Sequence, residues 1–253
     1  MTTGDLYADL GSWCVRCSRA SSRWRMSPPP LVGQPVFQEF LASLAGYQVD
    51  YRVVDVRQVG LPQTRKRLVL VGSKLGPISL ALGNSYRQPP TVRQTIGSLR
   101  KIAAGDANPD NPLHVASRLS ATNMKRIRAS KPGGTWRDWP EQLRAACHRK
   151  STGATFPAVY GRMVWDEPSP TITTQCFGYG NGRFGHPEQD RAITLREAAM
   201  LQGFPCDYSF VPRGKRPSFA QIRRLIGNAA PVPLGEYIGK LLRAHVESIP
   251  SKN

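Results

Sequence analysis

The sequence of 253 residues has no run of 18 or more apolar residues, so nothing in it reads as a membrane-spanning helix. Its first 30 residues are polar and rich in Trp and Arg, without the apolar centre of a secretory signal. The expectation is a soluble, cytoplasmic protein with no membrane partner. Cysteine is scarce and odd in number, five in all, which fits reduced thiols better than a disulfide framework. Cys14 and Cys17 have the spacing of a zinc half-site or a redox pair, but no second Cys-x-x-Cys or spaced Cys/His pair exists, only the adjacent Cys147-His148, so the two read as incidental. No metal is therefore expected. Acid is also short: 17 Asp and Glu against 35 Lys and Arg leave a net charge of +18. Such an excess repels itself and favours a polyanionic partner, because neutralised phosphates release condensed counterions. Nucleic acid is the natural candidate.

With 40% hydrophobic and 21% charged residues, the chain reads as globular, with one large domain or two small ones. Residues 1–35, holding Ser18-Arg-Ala-Ser-Ser-Arg-Trp-Arg25 and Pro28-Pro-Pro30, read as a disordered or weakly ordered lead. From residue 34 to 44, Val36, Phe37, Phe40, Leu41 and Leu44 recur at helical spacing, predicting an amphipathic helix. Tyr51 to Val56 and Leu68 to Val71 are β-branched and apolar, with Gly60-Leu-Pro62 breaking the chain between them, so two strands are predicted. Gln63, Arg65 and Arg67 alternate with Thr64 and Lys66 and should point to one side of an extended segment. They serve either a polar partner or a solvated edge strand charged against edge pairing.

Residues 76 to 185 are irregular and rich in Gly, Pro, Ser and Arg. Within them, residues 123 to 139 join a basic segment to a Gly-Gly turn and two tryptophans. Lys125, Arg126, Arg128 and Lys131 are candidate phosphate contacts, with a plain solvated basic face as the alternative; Trp136 and Trp139 are expected in a small core. Further on, Thr194 can cap a helix whose Glu197 reaches back to the cap, and Gly203 and Pro205 end it. Residues 218–242 read as Gln221, Leu225 and Ile226 leading to a Gly227-Asn228 turn, then a helix starting at Leu234 with Tyr237, Ile238 and Leu241 on its apolar face.

Taken together, Arg191-Ala-Ile-Thr-Leu-Arg-Glu-Ala-Ala-Met-Leu-Gln-Gly-Phe-Pro205 and Gln221-Ile-Arg-Arg-Leu-Ile-Gly-Asn-Ala-Ala-Pro-Val-Pro233 resemble the closing motifs of DNA (cytosine-5) methyltransferases of the bacterial restriction-modification type. Gln63-Thr-Arg-Lys-Arg67 is similar to the family's Gln-x-Arg-x-Arg motif, and Tyr160 to Thr174 and Gly182 to Gln189 continue the likeness. The resemblance implies an α/β fold: the C-terminal part of a Rossmann-like S-adenosylmethionine-dependent methyltransferase plus a small irregular target-recognition domain. Residues 36–75 would end the catalytic sheet domain, 76–185 would be the target-recognition domain, and 186–253 the closing motifs and a C-terminal helix returning to the catalytic domain. It places Arg67 at the target cytosine, with Arg65 and Gln63 in support. Asn228 and Ala229 would lie beside S-adenosylmethionine, although Ala230 stands where the family usually has valine.

Three of the family's motifs are missing. Such enzymes carry an acidic, glycine-rich turn for the cofactor, a Pro-Cys-Gln loop whose thiolate attacks cytosine, and a Glu-Asn-Val strand. None occurs in these 253 residues, and Cys206, between Pro205 and Asp207, reads as an ordinary helix-end residue. The expectation is therefore the C-terminal portion of a methyltransferase, inactive alone, as either one subunit of an enzyme split from a separate N-terminal subunit or the product of an interrupted gene, or else a DNA-binding remnant without chemistry.

Overall fold

The computed structural model describes residues 21–26 (backbone), 34–81, 88–150, 153, 155–212, 214–215 and 218–249. Cys14, Cys17, Pro28-Pro-Pro30 and most of the expected lead lie outside them. Two compact units emerge: the described residues of Met1–Gln58, Lys66–Tyr86 and Leu234–Asn253 form the first, and those of Val59–Arg65 and Arg87–Pro233 the second. This partition differs from the one drawn on the sequence. Residues 186–233 pack with the irregular middle of the chain, and only Leu234 onward joins the sheet.

The first unit is a three-stranded antiparallel sheet, β1 (Ser21–Met26), β2 (Gln48–Asp55) and β3 (Lys66–Ser73), in the order β1-β3-β2. β1 lies within the lead expected to be disordered or weakly ordered, and Ser21 to Met26 pairs with Ser73 to Leu68. The continuous apolar run Leu68-Val-Leu-Val71 makes β3 the central strand, buried on both faces. Helix α1 (Pro35–Ser43) starts on a proline at its first position, where the missing amide costs no helical bond. It lays Phe37, Phe40 and Leu44 on Leu68 and Leu70, and the Phe37 ring meets Tyr51 edge-on at 5.1 Å. β2 starts before the predicted Tyr51 and ends at Asp55, just short of Val56, while β3 runs beyond Leu68 to Val71 at both ends, because ladder pairing continues through polar positions.

The second unit contains α2 (Val92–Ile96), the hairpin β4 (Ala107–Asn108) and β5 (Asn111–Val115), α3 (Ala121–Ala129), α4 (Leu195–Leu201) and α5 (Phe219–Asn228). Its core gathers Val92, Ile96, Leu113, Met163, Ile172, Phe184, Ile193, Leu195, Leu201, Ile222 and Ile226. α6 (Val232–Glu247) begins two residues before the predicted Leu234, with Pro233 in its first turn; proline is tolerated there because those amides have no intrahelical acceptor. Its Leu234 and Ile238 are buried. Within the first unit, Tyr237 donates to the Ala81 carbonyl at 2.9 Å and a His245 ring nitrogen lies 2.7 Å from the Ser73 hydroxyl. No described helix is long and apolar enough to cross a membrane.

Candidate functional site

Gln63 and Arg65 are buried, while Thr64 and Lys66 between and after them are exposed. The alternation seen in the sequence is therefore real, and the solvated edge strand is excluded for these two residues. Gln63 forms a parallel bridge with Ser169: the Thr64 amide donates to the Ser169 carbonyl at 2.8 Å and the Ser169 amide to the Pro62 carbonyl at 2.8 Å. The Thr171 hydroxyl donates to the Thr64 carbonyl at 2.8 Å. Two segments distant in sequence thus run side by side. Arg67 falls in the first unit, half-buried, with its guanidinium donating to the Lys66 carbonyl at 2.7 Å.

Gln63 uses every polar atom of its side chain. Its Nε2 donates to Gln202 Oε1 at 2.8 Å and to the Leu201 carbonyl at 3.2 Å, and its Oε1 accepts from the Ile172 amide at 3.1 Å. Arg65 adds a guanidinium donor to the Ile172 carbonyl at 3.0 Å, with Gln63 and Gln202 Oε1 each at 3.4 Å. Gln202, fully buried, then donates to the Ala229 carbonyl at 3.0 Å. A buried side-chain amide is stable only when such partners exist, since each unpaired group costs roughly 1–3 kcal/mol. The relay therefore fixes the Gln-x-Arg segment, the Pro168-to-Thr174 segment, the end of α4 and the residue after α5 in one register.

α4 carries the capping box expected of it: the Thr194 hydroxyl accepts the Glu197 amide and Glu197 accepts the Thr194 amide. It is not a surface helix, because six of its seven residues are buried. Arg191 and Glu197, neither exposed at all, form a two-bond pair at 2.7 and 2.8 Å. Burial works against the Glu197 carboxylate, but Arg191, the field of His186 and the Thr194 amide together outweigh it and hold the group below its ordinary range. His186 accepts two backbone amides, from Glu188 and Gln189, at Nδ1. Burial pushes its pKa down to about 4, so the ring is neutral at pH 7. His114 Nε2 lies 2.8 Å from the Arg100 carbonyl, so that nitrogen carries a proton and Nδ1 accepts from the Thr194 hydroxyl at 3.0 Å.

Gly227 and Asn228 were expected in a turn; they are the last two residues of α5, capped by Ala229. The glycine serves close packing: a Cβ there would lie 2.3 Å from the Thr174 backbone nitrogen and 2.6 Å from the Thr173 carbonyl carbon. Asn228 is exposed at a helix end held from beneath by Gln202. The Ala229 carbonyl that follows it is taken by Gln202.

The basic segment divides. Lys125, Arg128 and Lys131 are exposed, and Arg128 shares Asp190 at 3.3 Å. Arg126 departs from the expected phosphate contact: it donates to the Leu143 carbonyl at 2.8 Å and Asn123 at 3.1 Å and lies over the Trp139 and Tyr160 rings. Trp136 and Trp139 are buried as expected. Sequence reading missed Gln202, Arg191 and Arg162. Buried Arg162 caps the carbonyl end of α3 through Ile127 and Ser130 and also holds the His186 and Gln189 carbonyls and Asp190. The available signal was an arginine beside Gly161 inside an otherwise apolar stretch. Cys206 is an exposed free thiol after α4.

Residues 34–244 match the family of C-5 cytosine-specific DNA methylases. The chain is 50% identical over 220 residues to the Type II methylase M.HgiDII of Herpetosiphon aurantiacus, covering 85% of the chain and 61% of that relative. It is 33% identical over 202 residues to the Type II methyltransferase M1.BsuMI of Bacillus subtilis, covering 78% and 45%. The chain thus spans about three-fifths of the first relative and under half of the second. Among solved structures, a protein described as a DNA modification methyltransferase encoded within an Escherichia coli prophage superposes with a TM-score of 0.65 at 18% identity, over 90% of this chain and 70% of that one. A Spodoptera frugiperda DNMT2 mutant gives 0.59 at 13% identity, over 96% and 74%. At these identities the likeness concerns the mixed helix-and-sheet fold alone.

Proposed function

The chain belongs to the C-5 cytosine-specific DNA methylase family, and on that premise we propose that it supplies the target-recognition and closing parts of an enzyme that moves a methyl group from S-adenosylmethionine to C5 of cytosine in duplex DNA. The observation that carries this reading is the buried Gln63–Gln202–Ala229 relay. It holds the Gln-x-Arg segment and the α5 end in fixed register, as a reaction joining a target base to a methyl donor requires. When bound, S-adenosylmethionine supplies the electrophilic methyl. Asn228 orients its polar edge.

Arg67 is the residue proposed to meet the target cytosine, where a charge-assisted hydrogen bond acts on the ring as charge develops in it. Arg65 and Gln63 brace the segment that carries it. Lys125, Arg128 and Lys131, exposed on and just after α3, neutralise phosphates and position the duplex. The nucleophilic thiolate comes from a Pro-Cys-Gln loop that these 253 residues do not contain, so the chain works together with a segment that carries it. The test is transfer of labelled methyl to cytosine by the chain mixed with a segment bearing Pro-Cys-Gln and Glu-Asn-Val. Transfer by the mixture and by neither component supports the reading; transfer by the chain alone, or by neither alone nor together, overturns it.

A further inference from the structure

The segment from His186 to Asp190 carries two carboxylates, and each holds an exposed basic side chain from a different part of the second unit. Glu188 accepts the Lys101 ammonium at 2.8 Å, and both side chains are exposed. Two residues on, Asp190 accepts Arg128 Nε at 3.3 Å and also the buried Arg162 guanidinium. Lys101 follows α2, whereas Arg128 lies in α3. An open cavity of about 570 Å³, lined by Arg100, Lys101, Ile102, Asp106, Gln189 and Asp190, lies beside both ion pairs.

The two acids sit on a fixed frame. His186 Nδ1 accepts the Glu188 and Gln189 amides at 3.1 and 3.0 Å, and Arg162 holds the His186 and Gln189 carbonyls at 3.0 and 2.8 Å. Gln189 Oε1 accepts the Ile102 amide at 3.0 Å, which ties the residue after Lys101 to the same frame. Exposed ion pairs contribute little to stability, because ordering two long side chains offsets an attraction that water already weakens. What fixed carboxylates can do is compete, since they offer Lys101 and Arg128 the same kind of charged oxygen that a phosphate offers. In a chain with 17 acidic residues against 35 basic ones, two acids within three positions are thus set against exposed bases.

We propose that Glu188 and Asp190 form an acidic clasp that holds Lys101 and Arg128 back from the duplex, so that DNA binds by exchanging these two ion pairs for phosphate contacts. The proposal rests on the reading of the chain as DNA-acting, and it adds Lys101 to the residues that meet phosphate. Exchange has a signature in salt. Each phosphate neutralised releases condensed counterions, but each carboxylate set free recruits a cation from solution. A clasped base therefore adds less to the salt slope than a free one.

The experiment measures affinity of the full chain for a short duplex between about 50 and 200 mM salt. Glu188→Gln should bind about threefold to fivefold more tightly than wild type at low salt, the strength of one exposed ion pair, and Asp190→Asn likewise. Together they should reach about tenfold, with a salt slope steeper by about one to two contacts. In a chain already carrying Lys101→Ala and Arg128→Ala, the same two acid substitutions should change affinity by less than about twofold. Because Asp190 also pairs with buried Arg162, urea unfolding establishes whether Asp190→Asn folds, and the Glu188–Lys101 cycle decides alone if it does not. No gain in Glu188→Gln overturns the clasp. So does an equal gain with and without Lys101, which would be the effect of net charge alone. No duplex binding by any variant would instead overturn the functional reading beneath it.

Discussion

Gln63 and Gln202, 139 residues apart in sequence, share a buried hydrogen bond of 2.8 Å. Gln202 passes the constraint on to the Ala229 carbonyl at 3.0 Å. Replacing Gln202 with methionine keeps the volume but strands that carbonyl and one Gln63 donor. Gln202→Met should therefore destabilise the chain by about 2 kcal/mol, read as a lower urea midpoint at unchanged slope. A midpoint equal to wild type would show that the relay contributes nothing to the fold.

Gly227 tests close packing against helix propensity. Alanine normally stabilises a helical glycine site by roughly 0.5–1 kcal/mol, but a Cβ at residue 227 would sit 2.3 Å from the Thr174 backbone nitrogen. Gly227→Ala should lower the melting temperature. Gly235→Ala in α6, where nothing lies within 4 Å of the added carbon, should raise it. If both raise it, the approach of residues 173–174 to α5 is looser than described.

Acid should weaken the fold before ordinary carboxylates titrate. Free in the unfolded chain, His186 takes a proton near 6.5; folded, burial delays protonation to about 4. Because the unfolded state binds more protons between these values, stability falls with pH across that window, by of order 3 kcal/mol in total. The lowered Glu197 carboxyl adds a loss below its ordinary range, as acid removes its stabilising charge. Urea unfolding of wild type and His186→Asn between pH 7 and 4 checks this: the variant should lose much of the slope above pH 4.5, and identical slopes would contradict the assignment.

Duplex binding should be steeply salt-dependent. With about six phosphates neutralised, affinity falls by about three orders of magnitude between 50 and 200 mM salt. Replacing Lys125, Arg128 and Lys131 together by alanine should flatten the slope by two to three contacts. Arg126→Ala should instead lower stability, because its guanidinium is engaged with Leu143 and Asn123. Unchanged slopes in the triple variant would move the DNA interface elsewhere.

What the sequence disclosed and what it concealed follow from the range of the forces involved. The Thr194–Glu197 capping box and the alternation of Gln63 and Arg65 are local patterns, legible from neighbouring residues. Trp136 and Trp139 were placed in a core on chemistry alone, and are buried. Gln202, Arg191 and Arg162 take partners from distant segments, and nothing beside them in the chain announces it. Gly227 was misread for a related reason: glycine near a helix end suggests a turn, whereas here it admits the backbone of Thr173 and Thr174. β1 escaped notice because Ser21–Met26 has the composition of a polar lead, and its strand depends on pairing with β3.

The most direct test of the account compares Arg67→Ala with wild type once the chain is combined with a segment carrying Pro-Cys-Gln and Glu-Asn-Val. Methyl transfer and duplex affinity are measured on the same preparations. A residue acting at the reacting base should lower the transfer rate about a hundredfold or more while changing duplex affinity only a few-fold. Equal losses in both would mean that Arg67 is one more phosphate contact, and would contradict the role assigned to it.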